Sequence, residues 1–207
     1  MLHHAFELKE ELSKTYSRFI CSKRSINYQE SYRNFKLQIE DNNWDVIQSV
    51  SRYGDVIIGY LSASINRATR NITNISIVRF ESEEISESGS GKAFDLIDKN
   101  KLSDKAIEEF TKDMNRFILH LIDNGFNKIS WCVYSTNKKV LKLDQLFVKR
   151  FGIHGREVGV CINECILRDG TFVNAHMFEV NFRNPVNNKL YKEVTRFKLD
   201  CERNLKE

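Results

Sequence analysis

The turn at residues 89–92, Gly-Ser-Gly-Lys, is the first stretch whose residue types could bind a ligand. Glycines let backbone N–H groups approach an anion closely, and a following helix adds its dipole, so such a turn can hold a phosphate. Four glutamates precede the turn, at positions 81, 83, 84 and 87, and their charge would repel a phosphate. A P-loop would need glycine at position 86, where Ser86 stands. A flexible loop is therefore the alternative to a phosphate site.

Two cysteines of the last predicted hairpin, Cys161 and Cys165, could bind a metal if their thiolates converged. On a regular strand they would share one face but stand about 13 Å apart, at a rise of ~3.3 Å per residue. Two thiolates on one zinc lie within roughly 4.6 Å of each other, twice the Zn–S distance. A regular strand therefore excludes a shared metal, and the sequence predicts no metal site.

Hydrophobic periodicity indicates the elements that would position these residues. It predicts amphipathic helices over residues 5–21, from a cap at Ser103 to Asn124-Gly125, and from a cap at Ser135 or Thr136 to Gly152. Alternation and turn residues predict strands at 35–40, 44–52, 56–67, 72–80, 128–134, 157–167 and 171–182. The apolar spacing after Pro185 predicts a further amphipathic helix over 185–207, which would pack on its own domain or dock a partner or a second copy.

The composition is that of an ordinary globular chain of 207 residues with a net charge of +4. We expect one domain over residues 1–184, followed by the helix at 185–207. Five cysteines without a framework spacing and an N-terminus interrupted by acids favour a soluble, cytoplasmic protein, and no apolar run reaches the ~20 residues that would span a membrane. Nucleic acid is an unlikely partner, although basic residues cluster near one predicted helix: Lys138, Lys139, Lys142, Lys149 and Arg150.

The order of these elements resembles the GNAT superfamily of acyl-CoA-dependent N-acyltransferases. Four segments carry the resemblance, which covers roughly residues 30–183: "SVSRYGDVIIGYLSAS", "NISIV", "WCVYSTNKKVLKLDQLFVKRFGI" and "LRDGTFVNAHMFEVNF". The last segment is similar to divergent GNAT-like proteins of tailed phages. The resemblance implies an α+β fold, with a central mixed, mostly antiparallel sheet of about six to seven strands flanked by helices, and a cleft for acyl-CoA where two parallel strands part.

The resemblance also implies a set of cofactor-binding residues. The backbone of Ile77, Val78 and Arg79 would run beside the pantetheine arm of acetyl-CoA, and the pyrophosphate would meet a glycine turn, here Gly89 and Gly91. Asn137 stands where the family's helix-starting asparagine contacts the cofactor; it could equally be a helix-entry residue.

Catalysis would need a base for the amine and an acid for the leaving thiolate. The family often places a tyrosine about two turns into the helix after Asn137, but positions 143 and 144 are Leu143 and Asp144. Tyr134 is the nearest phenol; it could reach the thiolate or cover a sheet face. Glu157 and His176 are candidate bases without motif support. Cys132 could form an acyl-enzyme or be an inert thiol, and His120 is expected to be structural.

Two functions remain open at this stage. The first is acetyl transfer from acetyl-CoA to an amine of a protein or small molecule. The second is a catalytically inactive GNAT-fold protein that serves in structure or interaction, as a virion or assembly component if the chain is of phage origin. It would act through a protein partner or through self-association by the C-terminal helix. Fold alone does not choose between them.

Overall fold

A computed structural model describes residues 2–21, 45–80, 97–98, 101–167 and 170–182. Three sequence predictions lie outside these residues: the strand at 35–40, the glycine turn with Gly89 and Gly91, and the C-terminal helix over 185–207. The described part contains three α-helices and nine β-strands.

The N-terminal half of the chain is mostly strands. Its elements are β1 (Leu2–His4), a 3-10 helix (Ala5–Leu8), α1 (Lys9–Cys21), β2 (Val46–Tyr53), β3 (Val56–Asn66) and β4 (Asn71–Arg79). The C-terminal half has β5 (Ile97–Asp98), β6 (Lys101–Leu102), α2 (Asp104–Asp123), β7 (Lys128–Tyr134), α3 (Lys138–Lys149), a 3-10 helix (Gly152–His154), β8 (Gly155–Ile166) and β9 (Phe172–Asn181). The strand β1 is an addition to the sequence prediction, and the predicted helix at 5–21 begins as a 3-10 turn.

Seven of the strands form one mixed sheet in the order β1-β2-β3-β4-β7-β9-β8. The pair β4 and β7 is parallel, with Asn71 opposite Lys128 and Ile72 opposite Ile129. On its other edge β7 pairs antiparallel with β9 along its whole length, from Lys128 to Tyr134. The expected α+β fold with a mixed sheet of six to seven strands is confirmed; β5 and β6 form a separate two-stranded sheet.

The ends of α2 follow the predicted capping residues. The Ser103 Oγ accepts a hydrogen bond from the Ala106 N–H at 3.3 Å, and Gly125 takes a φ of +83° just after the helix ends. Left-handed backbone of this kind suits glycine, which has no Cβ to clash. The predicted cap of α3 at Ser135 or Thr136 is wrong, because the turn continues to Asn137 and the helix begins one residue later. None of the described helices combines the length and hydrophobicity needed to cross a membrane.

The described chain divides into two compact units. The first contains β1, α1, β2, β3 up to Ala63, β4 from Ser76, and α2 up to Ile118. Its core includes an aromatic group in which Tyr16 contacts Tyr60 and Phe19 contacts Phe80, with ring centroids 6.2 and 6.0 Å apart. The second unit contains the rest of β3, β4 and α2, together with β7, α3, β8 and β9.

Candidate functional site

The proposed cofactor strand is the end of β4, Ile77 to Arg79, in the first unit. Val78 is buried, and its carbonyl oxygen passes close to Gly59 on β3, so close that a Cβ on Gly59 would lie 3.0 Å from it and would overlap the Phe110 ring of α2. The absence of a side chain at Gly59 therefore lets the Phe110 ring of α2 pack directly on β3, next to β4. The other two cofactor candidates of this region, Gly89 and Gly91, lie outside the described residues.

Asn137 is the residue before α3 in the second unit. Its backbone N–H donates to the Tyr134 carbonyl at 2.9 Å, and its own carbonyl accepts from the Leu141 N–H at 2.9 Å. Its side chain makes no capping hydrogen bond to the helix. The first turn of α3 holds no acidic residue and begins with Lys138 and Lys139, so this helix end carries positive charge beside the helix dipole. The amide side chain of Asn137 is not committed to the helix start.

Tyr134, at the end of β7, packs against a small apolar cluster formed by Cys165, Leu167 and Val173. Burial, a side-chain hydrogen bond with Cys165, and the nearby Cys132 and Glu164 together raise the pKa of the Tyr134 phenol well above its ordinary value. The phenol therefore holds its proton across the physiological range. A raised pKa also makes it a weaker proton donor than a free tyrosine.

Cys132 lies two residues before Tyr134 and has an exposed side chain. Its surroundings still desolvate the sulfur, and this burial raises the pKa of the Cys132 thiol, with Cys165, Glu164 and Cys161 adding to the effect. Since the thiolate is the nucleophile, a raised pKa argues against an acyl-enzyme at Cys132.

Glu157 on β8 forms a polar group with two neighbours. The Glu157 Oε1 lies 2.6 Å from the His176 Nδ1 of β9, and its Oε2 accepts from the Gln145 Nε2 of α3 at 3.1 Å. The hydrogen bond with His176, opposed by partial burial and aided by Gln145, lowers the pKa of the Glu157 carboxyl. The carboxylate is therefore ionised at neutral pH and already accepts two hydrogen bonds, which makes it a weak base but a firm link between β8, β9 and α3.

The two candidate catalytic residues lie on opposite faces of the sheet. His176 is opposite Val133, and Trp131 on the same face donates through Nε1 to the Asp144 Oδ2 of α3 at 2.9 Å. Glu157, bonded to His176 and Gln145, belongs to this face. Tyr134 follows Val133 directly and so points to the other face. The structure therefore does not bring the Tyr134 phenol and the Glu157 carboxylate together.

Two buried aspartates were not among the predicted site residues. Asp144 is buried under the Trp131 indole, and Asp113 of α2 is fully buried, with the Ser51 Oγ donating to it at 2.9 Å and the Arg116 Nη1 at 2.8 Å. The sequence did contain a signal for both, since each aspartate falls on the apolar stripe of its helix. A carboxylate at such a position requires a buried partner.

The strand that carries Cys161 and Cys165 is irregular, which corrects the spacing expected for this pair. Cys161 is opposite Ala175 and Cys165 is opposite Val173, so four steps along β8 match only two along β9, and Asn163 between them has a φ of +53°. The cysteines are therefore nearer than a regular strand would place them. Within the described residues no group of three His, Cys, Asp or Glu side chains is arranged to hold a metal.

A cavity of about 400 Å³ lies in the first unit, at the turn between β2 and β3. It is lined by His3, residues 52–55 and Glu109. It contains none of the site residues predicted from the sequence. Its lining mixes basic and acidic side chains, so its charge does not select a ligand.

No family model matches the sequence, and no curated protein matches it. Solved structures do match its fold. A chimera of spermidine N-acetyltransferase SpeG from Vibrio cholerae and hSSAT is 15% identical, with a TM-score of 0.54 over 92% of this chain and 96% of that one. A point mutant of the Vibrio cholerae SpeG is 14% identical, with a TM-score of 0.56 over 90% and 99% of the two chains.

An N-acetyltransferase from Staphylococcus aureus Mu50 gives the same result, at 14% identity and a TM-score of 0.51 over 88% of this chain and 98% of that one. Identities this low are evidence of shared fold rather than of shared substrate. The parallel pair β4 and β7 agrees with the two parallel strands that the resemblance implied. The chain has the GNAT fold of N-acetyltransferases.

Proposed function

We propose that the protein transfers an acetyl group from acetyl-CoA to an amine. The observation that carries the proposal is the match of about nine-tenths of the chain to structures of N-acetyltransferases, in each case with nearly the whole length of the neighbour. The acceptor is proposed to be a small amine, with polyamines first, because two of these neighbours are spermidine N-acetyltransferases.

Three groups of residues would hold the cofactor, which supplies an activated thioester. The backbone of Ile77 to Arg79 would lie along its pantetheine arm, and Asn137 would donate or accept through its uncommitted side-chain amide. The positive start of α3 suits an anionic ligand. Gly89 and Gly91 would approach the pyrophosphate, as the resemblance implies.

Tyr134 is proposed as the proton donor for the leaving thiolate. Its phenol is protonated at neutral pH, which an acid requires, although its raised pKa limits how readily the proton leaves. Glu157 is proposed as a positioning residue, because its hydrogen bonds connect β8 with β9 and α3 on the face opposite Tyr134.

The first experiment is thermal unfolding with and without acetyl-CoA, for the wild type, Asn137→Ala and the exposed control Asn74→Ala. Ligand at 100 times its dissociation constant should add about 2.7 kcal/mol to the free energy of unfolding, roughly 5–10 °C for this length. We expect the increase in the wild type and in Asn74→Ala, and a smaller one in Asn137→Ala. Absence of any increase at millimolar acetyl-CoA would overturn the enzyme hypothesis.

Acetyl transfer itself is measured as free CoA thiol released with spermidine and a panel of other amines. We expect Tyr134→Phe to lower kcat by about 10²–10⁴-fold, the usual contribution of a general acid, with little change in acetyl-CoA binding. Equal activity of Tyr134→Phe and wild type would remove Tyr134 from the mechanism while leaving the transferase proposal intact.

The second candidate function is a GNAT-fold interaction protein without catalysis. It is favoured by the exposed apolar residues along β8, several of which are more than half exposed: Val158, Ile162 and Ile166. Clusters of exposed apolar residues often mark interaction surfaces. Stable self-association without acetyl-CoA binding would select this function over the first.

A further inference from the structure

The positive charge of the chain is concentrated on α3 and the residue that follows it. Residues 138–150 contain five basic residues and one acidic residue, so their net charge of +4 equals that of the whole chain, and the rest of the chain carries none. All five basic side chains are exposed. Together they form a surface that we call the basic face: Lys138, Lys139, Lys142, Lys149 and Arg150.

The helical period of α3 explains how these residues come together. At 100° per residue the five members of the basic face fall within an arc of about 120°, and they span about 18 Å along the helix axis. The buried side of the helix holds Leu143, Asp144 and Val148. Asp144 is the one acid of α3, and it is buried with its Oδ2 hydrogen-bonded to the Trp131 indole. No carboxylate of the helix therefore lies on the basic face.

The stability of the helix accounts for only part of this charge. Lys149 and Arg150 lie at the end of α3, where the helix dipole favours cations, but Lys138 and Lys139 lie at its start, where the dipole opposes them. Lys142 has no acidic residue three or four positions away in either direction. The basic face therefore needs another explanation, of which an anionic partner is the simplest.

The size of the basic face indicates what kind of anion fits it. A single phosphate group could contact two or three neighbouring side chains, whereas cations spread over about 18 Å and about a third of the helix circumference require an extended anionic surface. A membrane with anionic lipids and a nucleic acid both offer one.

An exposed aliphatic side chain at the end of the basic face distinguishes between these two partners. Ile153 is 94% exposed, more than any other large hydrophobic residue that the structure describes, and it comes three residues after Arg150. Leu146, between the cations of α3, is 40% exposed. Aliphatic side chains beside cations suit a membrane surface, where they enter the apolar boundary beneath the headgroups. They add nothing to contacts with a phosphate backbone.

The turn that carries Ile153 is fixed by its neighbours. Phe151 is 2% exposed, and its ring contacts the rings of Phe147 and Phe182, with centroids 5.3 and 5.8 Å away. The His154 N–H donates to the Phe151 carbonyl at 3.0 Å. The chain is therefore anchored directly before Ile153 and closed directly after it, so the isoleucine is held in solvent by the fold.

We propose that the basic face and Ile153 bind a membrane surface that contains anionic lipids. The five cations would lie against the headgroup phosphates and carboxylates, and the Ile153 side chain would enter the apolar boundary next to them. The contact would be peripheral and reversible, since it consists of charges and a small apolar area. It does not depend on the proposed acetyl transfer.

Co-sedimentation with lipid vesicles tests the proposal on the whole chain. The vesicles consist of phosphatidylcholine alone, or of phosphatidylcholine with about 30% phosphatidylserine. We expect the wild type to partition onto the anionic vesicles at least about tenfold more strongly, and this preference to disappear as salt screens the charges between about 50 and 500 mM. Equal partition onto the two kinds of vesicle, or none onto the anionic vesicles at low salt, would overturn the proposal.

The double variant Lys142→Gln, Lys149→Gln tests whether the basic face is the part that binds. It leaves the two lysines at the start of α3, beside the proposed cofactor residue, in place. Each cation near an anionic surface contributes about fivefold to binding, so we expect partition to fall about 25-fold. The matched control Lys14→Gln, Lys105→Gln removes the same charge from exposed positions of the first unit and should lower partition less than about threefold. Equal losses would overturn the assignment to this face.

The variant Ile153→Ser tests the apolar contact, with Ile162→Ser as a control at another strongly exposed isoleucine. We expect Ile153→Ser to weaken partition about tenfold while keeping its salt dependence, and Ile162→Ser to leave partition unchanged. Thermal unfolding of each variant establishes that its fold is intact. Wild-type partition of Ile153→Ser would contradict the proposed insertion. Binding of a DNA duplex without any binding of anionic vesicles would assign the basic face to nucleic acid and overturn the proposal.

Discussion

The strands β3 and β8 are the two longest of the described sheet, at 11 and 12 residues, and both are rich in Val and Ile, yet they differ in burial. The first eight residues of β3 are buried without interruption, whereas most of β8 is exposed. The sheet order explains the difference: β3 lies between β2 and β4, and β8 lies at the edge. Apolar content predicts a strand, but the position in the sheet determines what its side chains contact.

The largest expected effect comes from truncating the same residue type in each strand. Ile58 of β3 is fully buried and Ile162 of β8 is 76% exposed. Ile58→Ala should lower the free energy of unfolding by about 2–5 kcal/mol through lost burial and a cavity, and Ile162→Ala by no more than about 0.5 kcal/mol. Urea unfolding at low protein concentration, where association does not contribute, measures both. Similar losses of unfolding free energy in the two variants would contradict the difference in burial between β3 and β8.

Adding a methyl group tests the same contrast from the other direction. A Cβ at Gly59 of β3 would overlap the Phe110 ring, whereas a Cβ at Gly159 of β8 would meet nothing within 4 Å. Gly59→Ala should destabilise the fold by about 1–3 kcal/mol, since α2 or β4 must move, and Gly159→Ala should not. Chemical denaturation, monitored by circular dichroism, distinguishes the two variants. An unchanged free energy of unfolding in Gly59→Ala would mean that α2 moves aside at no cost.

The inward-facing part of β8 should contribute less to the free energy of unfolding than β3 does, but more than the exposed part of β8. Glu157→Ala would leave His176 and Gln145 without their acceptor, which should cost about 1–3 kcal/mol. The matched variant Glu157→Gln keeps an acceptor oxygen and should lose less. Equal stability of all three proteins at pH 7 would show that the polar group is not structural.

The Glu157 carboxylate should also make the free energy of unfolding depend on pH in the acid range. Because its pKa is lower in the folded state than in the unfolded chain, folded Glu157 binds fewer protons near pH 4. Its contribution is therefore complete above its ordinary pKa and is lost as the pH falls through the lowered value. The stability difference between wild type and Glu157→Gln should shrink over this range, and a difference independent of pH would contradict the lowered pKa.

The smallest effect is expected at the buried end of β8, where Cys165 contacts Tyr134. Since the pKa of Tyr134 is raised in the folded state, its contribution to stability is complete below about pH 10 and is lost as the pH rises further. The wild type and Tyr134→Phe are titrated separately, and the difference between their absorbance curves isolates the Tyr134 phenol. This difference should show ionisation of the phenol only well above pH 10. A transition at the ordinary value would place the phenol in solvent.

Much of the fold could be predicted from the sequence because local physics determines it. The alternation in "KISWCVY" specified β7, and Ser103 and Gly125 marked the ends of α2, because capping and turn geometry involve neighbouring residues. The strand β1 was missed because three residues are too few to show a period. The cap at Asn137 was misplaced because three polar residues stand in a row before α3.

The candidate site was less predictable because its contacts join distant parts of the chain. Glu157 and His176 are 19 residues apart, and the direction of each side chain depends on bulges that the sequence does not announce. The regular-strand distance between Cys161 and Cys165 failed for the same reason. Which face Tyr134 occupies follows from alternation, but its contact with Cys165 depends on the register of β8.

The bulges of β8 also bear on how such a sequence can change over evolution. Twelve residues of β8 face only nine of β9, from Phe172 to Val180, so this outer strand already accommodates additional residues without shifting its neighbour. In an interior strand such as β7 a single insertion would move every following side chain to the opposite face. Insertions should therefore accumulate at β8 in divergent relatives, where they leave the register of the interior strands unchanged.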